Sequence, residues 1–383
     1  MIVVFFLIAA SQDQEEQEIK EEEKMPPITM ELPDSRTFYL GIGPWRYDFN
    51  QEAFVETIQL SNQHSDLVMH HFDWGVPWTE ALEQKPFHEN VELEIQTRID
   101  NKKPGQKVYL AISPQDSDRA KLADYWGKEW YMEIPEFWND KYFDDPEVIS
   151  AYLYYARYMI DRFNPDYFAY GIEVNSGFQK DDPKYDRYLV FAQQVYTTLK
   201  NENPNLPIFV SISTIAEDDD VELLKELATK VLPYSDFVAI STYPYWKFTD
   251  IPKQANPSDI PKDWFSQWAE LDSSKPFAVA ETAYPAEDLV MSNLGIKFVD
   301  MKGTEEWQAQ YVQLLLEQAN ALDAEFIAWF VPRDYDKGWD ALVEYGIADE
   351  FVKLWKDTGF FDGDGNPRKS SQIWDGWLAL PKN

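Results

Sequence analysis

The sequence predicts an α/β fold, a closed (β/α)8 TIM barrel, from three observations. Eight short apolar segments recur along the chain, and longer amphipathic segments separate them. The short segments end in small, polar or aromatic residues, as strands of a buried parallel sheet do. From residue 37 to 383 no Pro-, Gly- or Ser-rich linker interrupts the composition. One domain is therefore expected, within the roughly 250 to more than 400 residues that such barrels occupy.

Before that domain, residues 2–10 (IVVFFLIAA) form an apolar run of signal-peptide length, too short to span a bilayer, with Ala9-Ala10-Ser11 offering small residues for cleavage. No Lys or Arg precedes the run, and SQDQEEQEIKEEEKMPP follows it as an acidic, low-complexity spacer. Residues 1–36 thus read as a signal-like apolar segment and a disordered spacer. The mature chain is expected to be secreted, periplasmic or at the cell surface, without a membrane-spanning segment and without a lipid-bearing cysteine.

The strand candidates are Phe38 to Gly43, Asp66 to His70, Lys107 to Ile112, Tyr167 to Ile172, Ile208 to Ile212, Phe237 to Ile240, Phe277 to Ala280 and Phe326 to Phe330. Apolar residues at helical spacing mark Val148 to Phe163, Tyr185 to Leu199, Val221 to Val231 and Glu305 to Asn320. The longest excursion, about 114 to 147, is rich in Trp and acidic residues and reads as an elaborated loop on the active face.

Charge and composition narrow the partners. Asp plus Glu number 68 against 34 Lys plus Arg, a net charge of −34. That excess repels nucleic acid and anionic lipid and, more weakly, sulfated or uronic-acid polymers, so a neutral ligand is expected. The absence of cysteine excludes disulfides, thiol nucleophiles and Fe–S clusters. Four histidines leave little for a histidine-rich metal centre, and neither a metal nor a cofactor is expected. No phosphate-binding Gly loop, HExxH or nucleophile elbow occurs. Asp362 to Trp374 superficially suggests a calcium loop, but Pro367 stands where glycine is required and the twelfth position has no Glu, so it reads as a turn. Aromatic residues make up 16% of the chain, more than packing usually requires, and surplus aromatics often line a ligand cleft.

In such barrels the chemistry lies at the C-terminal strand ends. The fourth candidate strand runs YFAYGIEVNSG and ends at Glu173; the seventh runs PFAVAETAYP and ends at Glu281. These strands stand on opposite sides of the mouth, so the two carboxyls can face each other across one bond. A glycosidic bond suits such a pair, because it needs a proton on the leaving oxygen and a negative charge or nucleophile near the anomeric carbon. A separation of about 5–5.5 Å retains configuration and about 6.5–9.5 Å inverts it.

At these residues the chain resembles clan A of the glycoside hydrolases. The nearest likeness is to the arabinogalactan endo-β-1,4-galactanases, through GIEVNSG at Glu173, AISTYPYW on the sixth strand and AVAETAYP at Glu281. The architectural likeness covers roughly residues 37–383, and local matching is strongest on strands six and seven. The resemblance implies a retaining hydrolase of β-linked glycans with Glu173 as acid/base and Glu281 as nucleophile. It further implies that Tyr243 orients the nucleophile and that Trp329 forms a sugar platform. Two departures point to a distinct family within the clan: Ile172 replaces the usual Asn before the acid/base, and strands one and two lack the galactanase arginine pattern.

Further candidates for the glycan site are Arg46, Asp73 and Asn175 for sugar hydroxyls, and Trp45, Trp74, Trp78 and Trp246 for stacking, two of which are expected in the cleft. Arg333 and Asp334 are weaker candidates. His70 and His71 cannot both face the barrel interior, because neighbouring strand residues alternate. The expected protein is a monomeric, endo-acting glycosidase of a neutral carbohydrate. Two rivals are a non-catalytic glycan-binding barrel and a barrel holding a metal on His70, His71 and Asp73.

Overall fold

The computed structural model describes residues 32–215, 220–248, 250–346 and 348–383, and residues 32–383 form one compact unit. The apolar run and the acidic stretch up to residue 31 lie outside the described residues. Among the described residues no helix is long and apolar enough to cross a membrane.

The strands are β1 (Tyr39–Gly43), β2 (Leu67–Phe72), β3 (Lys107–Ile112), β4 (Tyr167–Ala169), β5 (Ile208–Phe209), β6 (Ser211–Ser213), β7 (Val238–Thr242), β8 (Phe277–Thr282), β9 (Leu289–Asn293), β10 (Ile296–Met301) and β11 (Phe326–Phe330). The α-helices are α1 (Gln51–Gln63), α2 (Trp78–Glu83), α3 (Glu89–Asp100), α4 (Pro146–Phe163), α5 (Pro183–Glu202), α6 (Val221–Val231), α7 (Ser266–Ala269), α8 (Glu305–Ala321), α9 (Asp336–Tyr345) and α10 (Lys369–Leu378). All strands but β9 and β10 join one parallel sheet in the order β5-β4-β3-β2-β1-β11-β8-β7-β6. β5 and β6 are two halves of one strand interrupted at Val210, whose N–H donates to Ser235 Oγ at 3.2 Å instead of to the ladder. The sheet therefore closes as the eight-position barrel the sequence predicts. The antiparallel hairpin β9–β10 stands in the excursion after β8, where no strand was expected.

Local chemistry starts the helices where the pattern does. Asn50, Asp182 and Thr304 cap α1, α5 and α8 by accepting a hydrogen bond from a first-turn N–H, and prolines open α4 and α5, where a missing N–H costs nothing.

Inside the barrel the side chains form layers, and the layers explain why the mouth is open. Tyr109, Tyr167, Phe237 and Phe326 fill the N-terminal half with contacting rings, joined by Phe209. Two residues further along the same strands come Ala111, Ala169, Ala239 and Ala328. A large ring followed by a methyl packs the floor densely and leaves room above it, toward the C-terminal strand ends.

Candidate functional site

Two glutamates reach the space above the alanines, each by a backbone irregularity. Ala278 and Ala280 both face the interior, so strict alternation would send Glu281 outward. The register of β8 slips against both neighbours at this point: Ile240 pairs with Val279 and Ser241 with Glu281, while Ile327 pairs with Val279 and Trp329 with Thr282. Such a bulge re-aims a side chain. On the other wall β4 stops at Ala169, earlier than Ile172 as expected. Ile172 packs inward, and Glu173 follows in the left-handed region with φ 53°. A non-glycine residue held there costs about 1–3 kcal/mol, a strain that accumulates at functional sites.

β7 ties the two together. Ala239, Ser241 and Tyr243 share its inner face by alternation; Ser241 Oγ donates to Glu173 Oε1 at 2.7 Å, and Tyr243 OH donates to Glu281 Oε1. Glu281 Oε2 lies 3.3 Å from His71 Nε2. Glu173 Oε2 accepts from Arg119 Nε and Nη2 at 3.3 and 3.1 Å, and its backbone N–H donates to Ser211 Oγ at 3.0 Å. Asp73 Oδ2 is 3.5 Å from Arg119 Nη2.

The electrostatics follow from this arrangement. Burial raises the Glu281 carboxyl above the usual range, His71 pulls it back and the Glu173 charge adds to the rise. The Tyr243 phenol is pushed well up by burial and by the charges of Glu281 and Glu173. Burial works against the Arg119 cation, but Glu173 and Asp73 outweigh it and hold the guanidinium above its ordinary value.

The adjoining cavity has a volume of about 490 Å³. One wall is polar and comes from the excursions after β3 and β4, with Ser117, Asp118, Arg119, Glu173 and Ser176. The other is largely aromatic and comes from the segments after β7 and β11, with Tyr243, Tyr245, Trp246, Phe248, Phe351 and Trp355. The indole N–H groups of Trp246 and Trp355 have no protein partner.

Several expected site residues lie elsewhere. Trp329 is fully buried on the outer face of β11, stacked on Phe360 at 4.6 Å with its N–H on the Thr358 carbonyl, so it offers no platform; its neighbour Phe330 is the half-buried ring, against Trp45 and Trp355. Trp78 packs against Trp138 and Tyr152 and donates to Ala123, in the core. Asn175 is fully buried and bonded to Ser213 and Leu224, stapling the split fifth strand to α6. Arg46 pairs with Glu94 at 2.8 Å and stacks on Phe54 and Trp130. Trp45, Arg46 and Trp74 line a separate narrow crevice. Of the four tryptophans only Trp246 lines the main cavity. Arg333 bonds the Gly363 carbonyl over Tyr47, and Asp334 pairs with Arg368.

His70 is buried against Phe163 on the face of β2 opposite His71, and burial pushes its imidazole pKa well down. The two cannot share a metal with Asp73. Among the described residues the acidic groups close enough to hold an ion are Asp334, Asp336 and Asp357, and Lys356 and Arg368 already pair with them. Asp362 accepts from Asp364 and Asn366 N–H groups, the turn expected there. Arg119 and Ser241 were not among the expected site residues. Ser241 has a sequence signal in its spacing from Tyr243; Arg119, in an irregular excursion, has none.

No family model matches the sequence, and no curated protein does. Solved structures share the fold. An exo-β-1,4-mannosidase from Opitutaceae bacterium strain TAV5 superposes with a TM-score of 0.57 at 12% identity, over 90% of this chain and 59% of its own. The Ignisphaera aggregans GH53 catalytic domain does so at 0.53 and 18% identity, over 94% of this chain and 99% of its own. A GH5_18 variant from Streptomyces cattleya in complex with Manβ1-4GlcNAc gives 0.58 and 13% identity, over 90% of this chain and 83% of its own.

Proposed function

We propose that this chain is a retaining glycoside hydrolase that cuts internal β-linkages of a neutral polysaccharide or oligosaccharide. The observation that carries the reading is the pair Glu173 and Glu281, set in different surroundings around one face of β7 beside a cavity. The fold shared with the mannosidase, GH53 and GH5_18 structures supports it.

In the first step Glu173 enters protonated, having taken a proton from solvent; Glu281 attacks the anomeric carbon while that proton passes to the leaving oxygen. A glycosyl ester on Glu281 and a free hydroxyl result. In the second step Glu173 takes a proton from water, the water oxygen attacks the same carbon, and the Glu281 carboxylate departs. Tyr243 and His71 hold the two Glu281 oxygens, which fixes the angle of attack. Water is the only co-reactant. The aromatic wall suits the apolar C–H faces of sugar rings. Anionic polymers are disfavoured, because Arg119 is already paired with Glu173 and Asp73. Polymers of this kind are met outside the cell, in keeping with the signal-like start of the sequence.

The test is turnover on a panel of neutral β-linked glycans, with proton NMR of the first product formed. The reading expects turnover and a β-anomer. An α-anomer contradicts double displacement, and binding without turnover supports the non-catalytic glycan-binding alternative.

A further inference from the structure

Arg119 belongs to no strand or helix, yet it is only 7% exposed, and every feature of its loop serves to hold it. Its Nη1 donates to the Asp116 carbonyl at 3.2 Å, its backbone N–H donates to the same carbonyl at 3.0 Å, and its own carbonyl accepts from Gln115 Nε2 at 2.7 Å. Arg119 and Glu173 are both left-handed, with φ of 58° and 53°. Gly177, at φ 74°, lets the excursion after β4 lie directly on this turn; a Cβ there would fall 2.3 Å from the Asp118 carbonyl oxygen. The guanidinium fork then meets Glu173 Oε2 through two nitrogens, while Ser241 takes Oε1. The carboxyl is gripped at both oxygens by groups from two different walls.

We infer that Arg119 is a positioning residue that fixes the Glu173 carboxyl at the height and angle needed to protonate the leaving oxygen. The inference rests on the glycosidase reading, in which Glu173 is the acid/base. A general acid works only within hydrogen-bond reach of its acceptor, about 2.6–3.2 Å, and a free glutamate has several rotamers outside that range. A planar fork with two N–H groups in register selects one rotamer, which a lysine ammonium does far less sharply.

The experiment compares the parent with Arg119→Ala and Arg119→Lys in single turnover on two glycosides of whichever sugar the parent accepts. One carries an alkyl or sugar leaving group, which needs a proton; the other carries a dinitrophenyl group, which leaves without one. Misplacing the acid should slow release of the first by about 100-fold, at the low end of what general acid catalysis supplies, and the second by a few-fold at most. Arg119→Lys should show the same selectivity with a smaller loss. If Arg119→Ala does not melt as a folded protein, Arg119→Lys carries the comparison. Equal losses on both glycosides, no loss or a gain, in a parent that turns over, overturn the Arg119 assignment and leave the glycosidase reading intact. A parent that releases neither aglycone overturns both.

Discussion

The two glutamates are chemically identical, and their surroundings make them different reagents. Glu173 is partly open to the cavity and gripped by a cation and a hydroxyl, Arg119 and Ser241. Glu281 is buried, gripped by a phenol and an imidazole, and burial raises its carboxyl pKa. In the reading proposed here, access and orientation distinguish the two roles. The accessible carboxyl can exchange protons with a glycosidic oxygen and then with water. The buried one, once ionised, is poorly hydrated and aimed by fixed donors, which suits attack on carbon.

Breaking either side of this comparison should give graded losses. Glu281→Ala is expected to reduce turnover by more than about 10⁴-fold on every substrate, whereas Glu173→Ala should cost about 10²–10⁴-fold on sugar leaving groups and far less in the first aglycone release from dinitrophenyl ones, whose second step still lacks its base. Steady-state and single-turnover rates check both. Tyr243→Phe removes one donor from Glu281; at about 1.5–3 kcal/mol for a hydrogen bond to a charge, kcat should fall roughly 10- to 100-fold with KM little changed.

The pH dependence sharpens the contrast further. Because the nucleophile must be ionised and its pKa is raised, activity should be lost, as pH falls, at a pH above the ordinary carboxylate range. The same shift bears on stability: a carboxyl whose folded pKa is raised stabilises the fold below its unfolded pKa, and that contribution is lost as pH rises through the folded value. Glu281→Gln should therefore melt higher than the parent at neutral pH, with the gain shrinking as pH falls through the carboxylate range; melting curves across pH decide it. The smallest kinetic effect is expected at Trp329. Trp329→Phe should lower the melting temperature by removing buried volume and the bond to Thr358, while KM and kcat stay near the parent values.

Strand parity explains what the sequence could show. The floor residues Tyr109, Tyr167, Phe237 and Phe326 are legible, because period-2 apolar runs put them on one face. Counting on from Phe326 puts Ala328 and Phe330 inward and Trp329 outward, so the same alternation gives the buried place of Trp329, against the platform role that the family resemblance implies. Counting on from Ala239 gives Ser241 and Tyr243 together. Parity fails at the two glutamates, where a bulge and a left-handed residue reset it, and only their place at strand ends announced them. Arg119 was illegible because its position depends on the non-local seating of Gly177 on the Asp118–Arg119 turn, which no local pattern encodes. Asn175 looked like a ligand for sugar, being polar and next to Glu173, but polar groups at a split strand are also needed to satisfy the broken ladder, and that is its use here.

The central claim is that Glu281 forms a bond to the sugar carbon. Incubation with an activated 2-deoxy-2-fluoro glycoside of the accepted sugar, followed by peptide mass spectrometry, tests it most directly. The account predicts one fluoroglycosyl group per chain, carried by Glu281 and abolished in Glu281→Gln. A label on another residue, or full turnover of the parent glycan without any covalent label on Glu281, contradicts it.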